Sequence, residues 1–126
     1  ICSRDSKDVS TARQAVPQPF LKRMLGDLGN LFIQIMAVRG IWDTQCGFKA
    51  FTKKAATIIF PRQTLSGFGF DVELLYIGRK FDMKISEVPV RWINSPESKV
   101  NPITDASKMF LELMSIRFKD LFGRYR

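Results

Sequence analysis

A short segment, residues 41–51, combines side chains that could do chemistry with side chains that could anchor them. An acid, small polar side chains, a glycine and a lysine stand between bulky aromatic residues, in the order Ile-Trp-Asp-Thr-Gln-Cys-Gly-Phe-Lys-Ala-Phe. This mixture is unusual both for a core strand and for a solvated loop, so we expect a strand entered through a polar turn. Gly47 would let the backbone bend or a ligand approach closely, and Phe48 and Phe51 would anchor the segment.

The charge balance points to an anionic partner. The 126 residues include 20 lysines and arginines, 12 aspartates and glutamates and no histidine, which gives a formal charge of +8. Such a surplus favours a phosphate-bearing ligand, a nucleic acid or an anionic membrane surface, although solubility alone would also explain it. Hydrophobic residues make up 45% of the chain and charged residues 25%, as in ordinary globular domains, so disorder is not expected.

Cysteine usage and hydropathy bear on the compartment. Cys2 and Cys46 are too few and too far apart in sequence for a disulfide framework or a metal site, which predicts reduced thiols on the cytoplasmic side. No apolar run approaches the roughly 18 residues of a membrane span, and no signal peptide is visible. We therefore expect any membrane anchor of the whole protein to lie outside this chain.

Residues 43–49, Asp-Thr-Gln-Cys-Gly-Phe-Lys, resemble the acceptor-side motif of family 2 glycosyltransferases that load a sugar onto a polyprenyl phosphate. These enzymes form the dolichyl-phosphate glucosyltransferase and mannosyltransferase group. Further blocks occur in that group's order: Ser3-Arg4, residues 67–75 (Gly-Phe-Gly-Phe-Asp-Val-Glu-Leu-Leu), 87–92 (Glu-Val-Pro-Val-Arg-Trp), 98–100 (Ser-Lys-Val) and a closing helix through Ile116-Arg117. Because the ordered blocks cover nearly the whole chain, the resemblance is specific.

The resemblance covers only the second half of such an enzyme. The nucleotide-sugar half, with a glycine-bearing opening strand and metal-binding paired aspartates, has no counterpart here, and the chain starts at Ile1. We therefore expect residues 1–126 to be the acceptor-side, C-terminal half of an α/β catalytic domain of the GT-A (Rossmann-like) type, a mixed sheet with flanking helices. Mg²⁺ or Mn²⁺ would be held mainly by ligands outside this chain. The piece alone should bind no nucleotide sugar tightly and turn nothing over.

The resemblance also implies a reaction. A phosphate oxygen of polyprenyl or dolichyl phosphate attacks the anomeric carbon of a nucleotide sugar, of the UDP-glucose or GDP-mannose type, with inversion, at the cytoplasmic face of a membrane. The second pKa of a phosphate monoester lies near 6, so the acceptor is largely dianionic at neutral pH and hardly needs a general base. The site instead needs cations that relieve the repulsion between two clustered anions.

Two arginines match positions that the family places against the acceptor phosphate. Arg4 follows Ser3 at the end of a short strand, and Arg23 lies on the helix after the acceptor loop. A guanidinium can hold two phosphate oxygens at once and stays charged. Each arginine also has a simpler interpretation, a solvated charge beside Asp5 for Arg4 and a surface pair with Asp27 for Arg23.

Ser98 and Lys99 belong to a loop that closes over the diphosphate in the resembling enzymes. They offer a hydroxyl donor and a point charge for phosphate oxygens. The family usually has a glycine and often an arginine ahead of this pair, whereas Pro96 and Ile93 stand there in this sequence. The loop should therefore be stiffer, and an ordinary solvated loop remains the alternative.

Asp43 is the candidate catalytic residue. By the resemblance, it accepts hydrogen bonds from donor sugar hydroxyls and orients the sugar, with Gln45 as a neighbour. With a hydroxyl acceptor the same acid could serve as base, and capping of the turn before the strand is the structural alternative. Asp71 and Glu73 could line the acceptor site or act as helix-start acids. We favour the helix-start role for Asp71, as N-cap, and leave both roles open for Glu73.

Apolar periodicity predicts the elements that position these residues. Helices are expected over residues 19–39, 52–60, 71–81 and 102–122, and short strands over 1–3, 44–51 and 84–92. The apolar stripe of the first helix is expected to be core. The last helix is basic and amphipathic, so it could pack in the core, with one face from Phe110 to Leu121, or lie on an anionic bilayer.

Two other function classes stay open. One is a family 2 transferase that acts on another acceptor, such as a cell-surface glycan. The other is a non-catalytic basic module that binds a membrane or nucleic acid. The phenylalanines mostly follow core periodicity rather than interleaving with basic residues, which argues against nucleic-acid binding.

Overall fold

Helix α3, Phe70–Lys80, lies at the centre of the fold. The structure is a computed structural model that describes residues 1–4, 13–14, 20–92 and 102–126. Every residue of α3 from 71 to 78 is buried, so this helix contacts other parts of the chain all round, as a core helix does. The surrounding cluster includes Ile59, Leu113, Ile116 and Tyr125.

The described part of the chain contains four α-helices and four short strands. Their bounds are β1 Cys2–Ser3, β2 Arg13–Gln14, α1 Phe20–Met36, α2 Lys53–Ile59, α3 Phe70–Lys80, β3 Val88–Pro89, β4 Arg91–Trp92 and α4 Pro102–Leu121, with a 3-10 turn, Phe60–Arg62, after α2. This content confirms the coarse prediction of a mixed α/β chain. The predicted cap of α2 is also confirmed, because the Thr52 side chain accepts a hydrogen bond from Ala55 N at 3.2 Å.

The strands form two separate parallel pairs. β1 pairs with β3, with Cys2 opposite Val88 and Ser3 opposite Pro89, and β2 pairs in parallel with β4. The strand predicted over 84–92 is therefore shorter than expected and is divided between two partners. Pro89 lies where the two pieces separate, and its missing N–H limits the ladder there.

The strand predicted over residues 44–51 is absent, and turns and irregular backbone take its place. A strand requires a ladder of backbone hydrogen bonds to a neighbour. In the described chain a bond from Cys2 N to Phe48 O at 3.0 Å joins this segment to β1, and a long contact from Cys46 N to Asp43 O at 3.5 Å closes a turn. The side chains of Gln45 and Lys49 instead bind the turn before α3 and the first turn of α3.

Helix α1 ends at Met36 rather than at residue 39. The chain turns back at Gly40, whose φ of 81° lies in the left-handed region that favours glycine. The Gln34 side chain closes this turn: its Oε1 accepts from Gly40 N and its Nε2 donates to Ile41 O, both at 2.5 Å. The side chain of Gln34 thus provides hydrogen-bond partners for backbone groups of Gly40 and Ile41 in the segment after the helix.

The apolar stripe of α1 was expected to be core, and this expectation is wrong for its central part. Four side chains at helical spacing, which we call the outer stripe, are 43–69% exposed: Met24, Leu28, Leu31 and Ile35. The opposite face buries Ile33, and the Phe32 ring stacks on Phe110 of α4 with centroids 4.9 Å apart. These contacts, together with the Gln34 turn, set the rotation of the helix.

The apolar face of helix α4 is only partly core. Leu113 and Ile116 are buried, whereas Phe118 and Leu121, which the core alternative placed on the buried side with Leu113, are more than half exposed. Asp120 helps to fix the rotation of the helix, because it accepts hydrogen bonds from Tyr76 and Lys80 of α3. None of the described helices is both long enough and apolar enough to cross a bilayer.

Candidate functional site

Arg4 and Asp43, 39 positions apart in sequence, form the central contact of the candidate site. The guanidinium donates from Nε to Asp43 Oδ2 at 2.8 Å and from Nη2 to Oδ1 at 2.6 Å. The backbone N–H of Arg4 also donates to Oδ2, at 2.7 Å. The side chain of Asp43 is 7% exposed and that of Arg4 28%, so a buried carboxylate is held by an arginine that solvent can still reach.

Electrostatics keep this arginine charged. The hydrogen bond to Asp43 raises the pKa of Arg4 above its ordinary value, and this effect outweighs burial, which lowers it. The negative charges of Asp43 and Asp71 act in the same direction as the hydrogen bond. A guanidinium in this setting is a permanent cation in fixed orientation.

Strand β1 carries Arg4 to this position. Ser3 is fully buried, and its backbone O accepts from Val90 N at 3.1 Å. On the other side Cys2 N donates to Phe48 O. The strand is thus held between the 88–90 segment and the 43–49 motif, and its next residue, Arg4, meets Asp43.

Lys49 forms a second ion pair beside the first. Its side chain is only 4% exposed, and its Nζ donates to Asp71 Oδ1 at 2.7 Å and to Cys46 O at 2.5 Å. The N-cap of α3 is Gly69, not Asp71 as predicted; Asp71 lies within the first turn of the helix. The carboxylate of Asp71 is directed to Lys49 because a buried ammonium needs an anionic partner.

The turn before α3 receives two further contacts. Gln45 Nε2 donates to Phe68 O at 3.3 Å, and Gly69 N donates to Glu112 Oε2 of α4 at 2.5 Å. Glu112 packs so closely that a Cβ at position 67 would lie 1.9 Å from its Oε1, and one at position 69 would lie 2.9 Å from its Cβ. Glycines at these two positions therefore let α4 support the turn on which the 43–49 motif rests.

Glu73, the other acid in the first turn of α3, belongs to a separate network. It is fully buried and accepts from Thr64 N at 2.9 Å, Leu65 N at 2.8 Å, Thr64 Oγ1 at 2.5 Å and Tyr125 OH at 2.5 Å. These partners tie the segment before α3 and the end of the chain to the helix. Glu73 therefore has a structural role here.

The structure brings together four of the predicted site residues. Arg4 and Asp43 bind each other directly, Ser3 precedes Arg4 in β1 and is fully buried, and Gln45 belongs to the same loop as Asp43. Arg23 lies in α1, but its side chain, like Ser98 and Lys99, lies outside the described residues. The convergence of Arg4, Arg23 and Lys99 on one pocket stays a prediction.

Sequence reasoning missed Lys49 and Glu112 as contributors to this site. Lys49 was noticed only as the end of a motif, and nothing in its spacing shows that it is buried against Asp71. Glu112 carries a weak signal, an acid between Leu111 and Leu113 on a helix. An acid at the edge of an apolar run can bind a nearby helix N-terminus, but the sequence does not identify which one.

The described residues contain no group of three or more histidine, cysteine, aspartate or glutamate side chains that could hold a metal ion. Asp43 and Asp71 each bind a cationic side chain, Arg4 and Lys49 respectively. A divalent metal ion at either carboxylate would compete with the arginine or lysine already bound there. The described part of the site therefore does not fit a metal centre, and its positive charge comes from side chains.

Comparisons with known proteins point to one group of enzymes. The chain is 39% identical over 107 residues to the dolichyl-phosphate beta-glucosyltransferase of Dictyostelium discoideum, covering 85% of this chain and 33% of that protein. The Homo sapiens protein of the same name is 39% identical over 97 residues, with 77% and 30% covered. The Saccharomyces cerevisiae protein is 40% identical over 92 residues, with 73% and 28% covered. No family model and no solved structure matches the chain.

The chain spans about a third of the length of the curated relatives it matches. The resemblance that the motifs predicted is confirmed, since each of these relatives is a dolichyl-phosphate beta-glucosyltransferase by name. This chain is therefore a homologue of the dolichyl-phosphate beta-glucosyltransferases, which are glycosyltransferase enzymes.

Proposed function

We propose that this chain supplies the acceptor side of an enzyme that transfers glucose from a nucleotide sugar of the UDP-glucose type to dolichyl phosphate. The observation that carries the proposal is the Arg4–Asp43 pair, because it joins two of the motif blocks at one buried point. The names of the relatives supply the reaction class. The longer protein would be a family 2 enzyme of the GT-A type, with its nucleotide-binding half outside residues 1–126.

Arg4 and Asp43 would have different roles in the transfer. Arg4, cationic and partly exposed, would hold the acceptor phosphate and offset its repulsion from the donor diphosphate. Asp43 would orient the sugar through its hydroxyls. A phosphate oxygen then forms the new bond to the anomeric carbon while the bond to the nucleoside diphosphate breaks, with inversion. Neither residue needs to remove a proton, because the acceptor is already largely a dianion.

Other parts of the proposal lie beyond the described residues. Arg23, Ser98 and Lys99 would add phosphate contacts. Ser3, which the structure does describe as buried, would support Arg4. Mg²⁺ or Mn²⁺ would be held by carboxylates outside this chain and would shield the leaving diphosphate. Residues 1–126 alone would then be inactive, since the proposed nucleotide-binding half lies outside them.

The test uses the longer protein, with UDP-glucose and polyprenyl phosphate, and measures the glucosylated lipid. We expect the parent to form product, the 126-residue chain to form none, and Asp43→Asn to lower kcat about 10²-fold. Assaying Asp43→Asn with a free sugar in place of the lipid tests the alternative function, transfer to a cell-surface glycan, in which Asp43 could serve as base. Unchanged turnover in Asp43→Asn would show that Asp43 is not part of the site. A parent protein that forms no glucosylated lipid would contradict the proposed function.

We also propose that the chain lies at the cytoplasmic face of a membrane and contacts it through α1 and α4. The outer stripe of α1 is apolar and exposed. On α4, the apolar side chains Leu111 and Phe118 are also exposed, and Lys108 and Arg117 are exposed beside them. Apolar side chains flanked by lysine and arginine suit an anionic lipid surface.

Binding to lipid vesicles tests this contact without any assay of activity. The chain is expected to bind phosphatidylcholine vesicles that contain phosphatidylserine more tightly than vesicles without it. Ile35→Glu removes an exposed apolar side chain and adds a negative charge, and should weaken binding about tenfold. Thr57→Glu adds the same charge on α2 and should leave binding nearly unchanged. Equal losses in both variants, or tight binding to DNA in low salt, would contradict the membrane contact.

A further inference from the structure

We infer that Lys49 and Asp71 are positioning residues whose buried ion pair holds the loop that carries Asp43 in the geometry that glycosyl transfer needs. This inference deepens the proposed function and rests on it. Neither residue is expected to touch the substrate: Lys49 is 4% exposed and the side chain of Asp71 11%. Both act through the loop.

The contacts of Lys49 connect two parts of the site, helix α3 and the turn of the motif. Its Nζ donates to Asp71 in the first turn of α3 and to the backbone O of Cys46 in the middle of the motif. Cys46 N in turn approaches Asp43 O at 3.5 Å and closes the turn that presents the Asp43 carboxylate. A single lysine therefore links the central helix to the backbone turn that carries the proposed catalytic acid.

Charge gives this link a second role. The two pairs place cation and anion alternately, Arg4 with Asp43 and Lys49 with Asp71. Asp71 is close enough for its negative charge to help raise the pKa of Arg4. Lys49 therefore also balances the negative charge of Asp71 beside the Arg4–Asp43 pair.

Stability alone is a poor explanation for such a pair. Removing two charges from water costs about as much as their attraction returns, and replacing a buried pair with apolar residues of similar size is often neutral or stabilising. The pair instead fixes the orientation of both side chains, because each charge is paired and hydrogen-bonded in only one buried position. Catalysis is sensitive to this, since a misplacement of about 1 Å can cost about 10²-fold in rate.

The decisive variant is the double replacement Lys49→Met with Asp71→Leu in the longer protein. It removes both charges together, so folding should be retained, with a Tm near that of the parent. We expect kcat per folded molecule to fall about 10²-fold, while KM for the nucleotide sugar, whose nucleotide is proposed to bind outside this chain, changes less than about twofold. Lys54→Met, an exposed lysine on α2, is the control and should leave both constants unchanged.

A second variant covers the case in which the double replacement folds poorly. Asp71→Asn keeps the shape and can still accept from Lys49, but it lacks the charge, and kcat per folded molecule should fall about tenfold. Folded protein is counted by near-ultraviolet circular dichroism, so instability is not mistaken for lost catalysis. Parental kcat per folded molecule in either variant overturns the inference, whereas an inactive parent overturns the proposed function instead.

Discussion

Replacing Arg4 with alanine is expected to destabilise the chain by about 3–5 kcal/mol and to lower kcat/KM of the longer protein for polyprenyl phosphate about 10³-fold. The first effect follows because Asp43 is buried and would lose the two charge-assisted hydrogen bonds from the guanidinium, while the backbone donor of residue 4 remains. The second follows because the variant lacks the cation proposed to hold the acceptor phosphate. Urea unfolding and steady-state transfer assays measure the two effects separately.

Two further variants separate folding from chemistry. Arg4→Lys keeps a positive charge but cannot bind both oxygens of Asp43 in the same plane, so we expect intermediate losses of stability and activity. Arg4→Met combined with Asp43→Leu removes both charges and should recover most of the stability without recovering transfer. An Arg4→Ala protein that transfers glucose with the parental kcat/KM would show that Arg4 only neutralises Asp43.

Local patterns predicted the helices because their signals are local. Thr52 caps α2 as expected, since an N-cap depends on one side chain and a backbone N–H three residues later. The start of α1 at Phe20 follows the proline before it. The Arg4–Asp43 contact could be anticipated only through the family resemblance, because nothing within either block indicates that the other lies beside it.

The rotation of the helices and the status of the 44–51 segment could not be predicted in this way. A periodic stripe shows that one face of α1 is apolar, but not whether protein or solvent meets it, and here Phe32 and Gln34 make the contacts that turn Ile35 outward. The 44–51 segment has strand-like composition, yet a strand forms only where a neighbour offers a ladder. Both outcomes depend on partners that are distant in sequence.

Replacing Glu73 with alanine is expected to destabilise the chain about as much as replacing Arg4 does. The substitution would leave four donors without their acceptor, at the backbone of Thr64 and Leu65 and at the hydroxyls of Thr64 and Tyr125. Each buried, unsatisfied donor costs about 1–3 kcal/mol, and partial access of water should limit the total to about 3–5 kcal/mol. That is a large part of the roughly 5–15 kcal/mol that stabilises a domain.

The same carboxylate should make stability fall in acid. Burial raises the pKa of Glu73, but the hydrogen bonds from Thr64, Tyr125 and Leu65 outweigh it and hold the folded-state pKa below the ordinary value of 4.5. A lowered folded pKa means that the contribution is fully present above pH 4.5 and is lost as the pH falls through the folded value.

Urea unfolding from pH 7 downward should show this loss in the parent, whereas Glu73→Gln should be less stable at pH 7 and should lack that part of the acid dependence. Tyr125→Phe is the matched control, because it keeps the ring near Tyr76 and removes one hydrogen-bond donor to Glu73. It should lower the free energy of unfolding by about 1 kcal/mol. Since Glu73 binds none of the described site residues, kcat per folded molecule should survive these changes. Equal acid dependence in the parent and in Glu73→Gln would show that other carboxylates control acid unfolding.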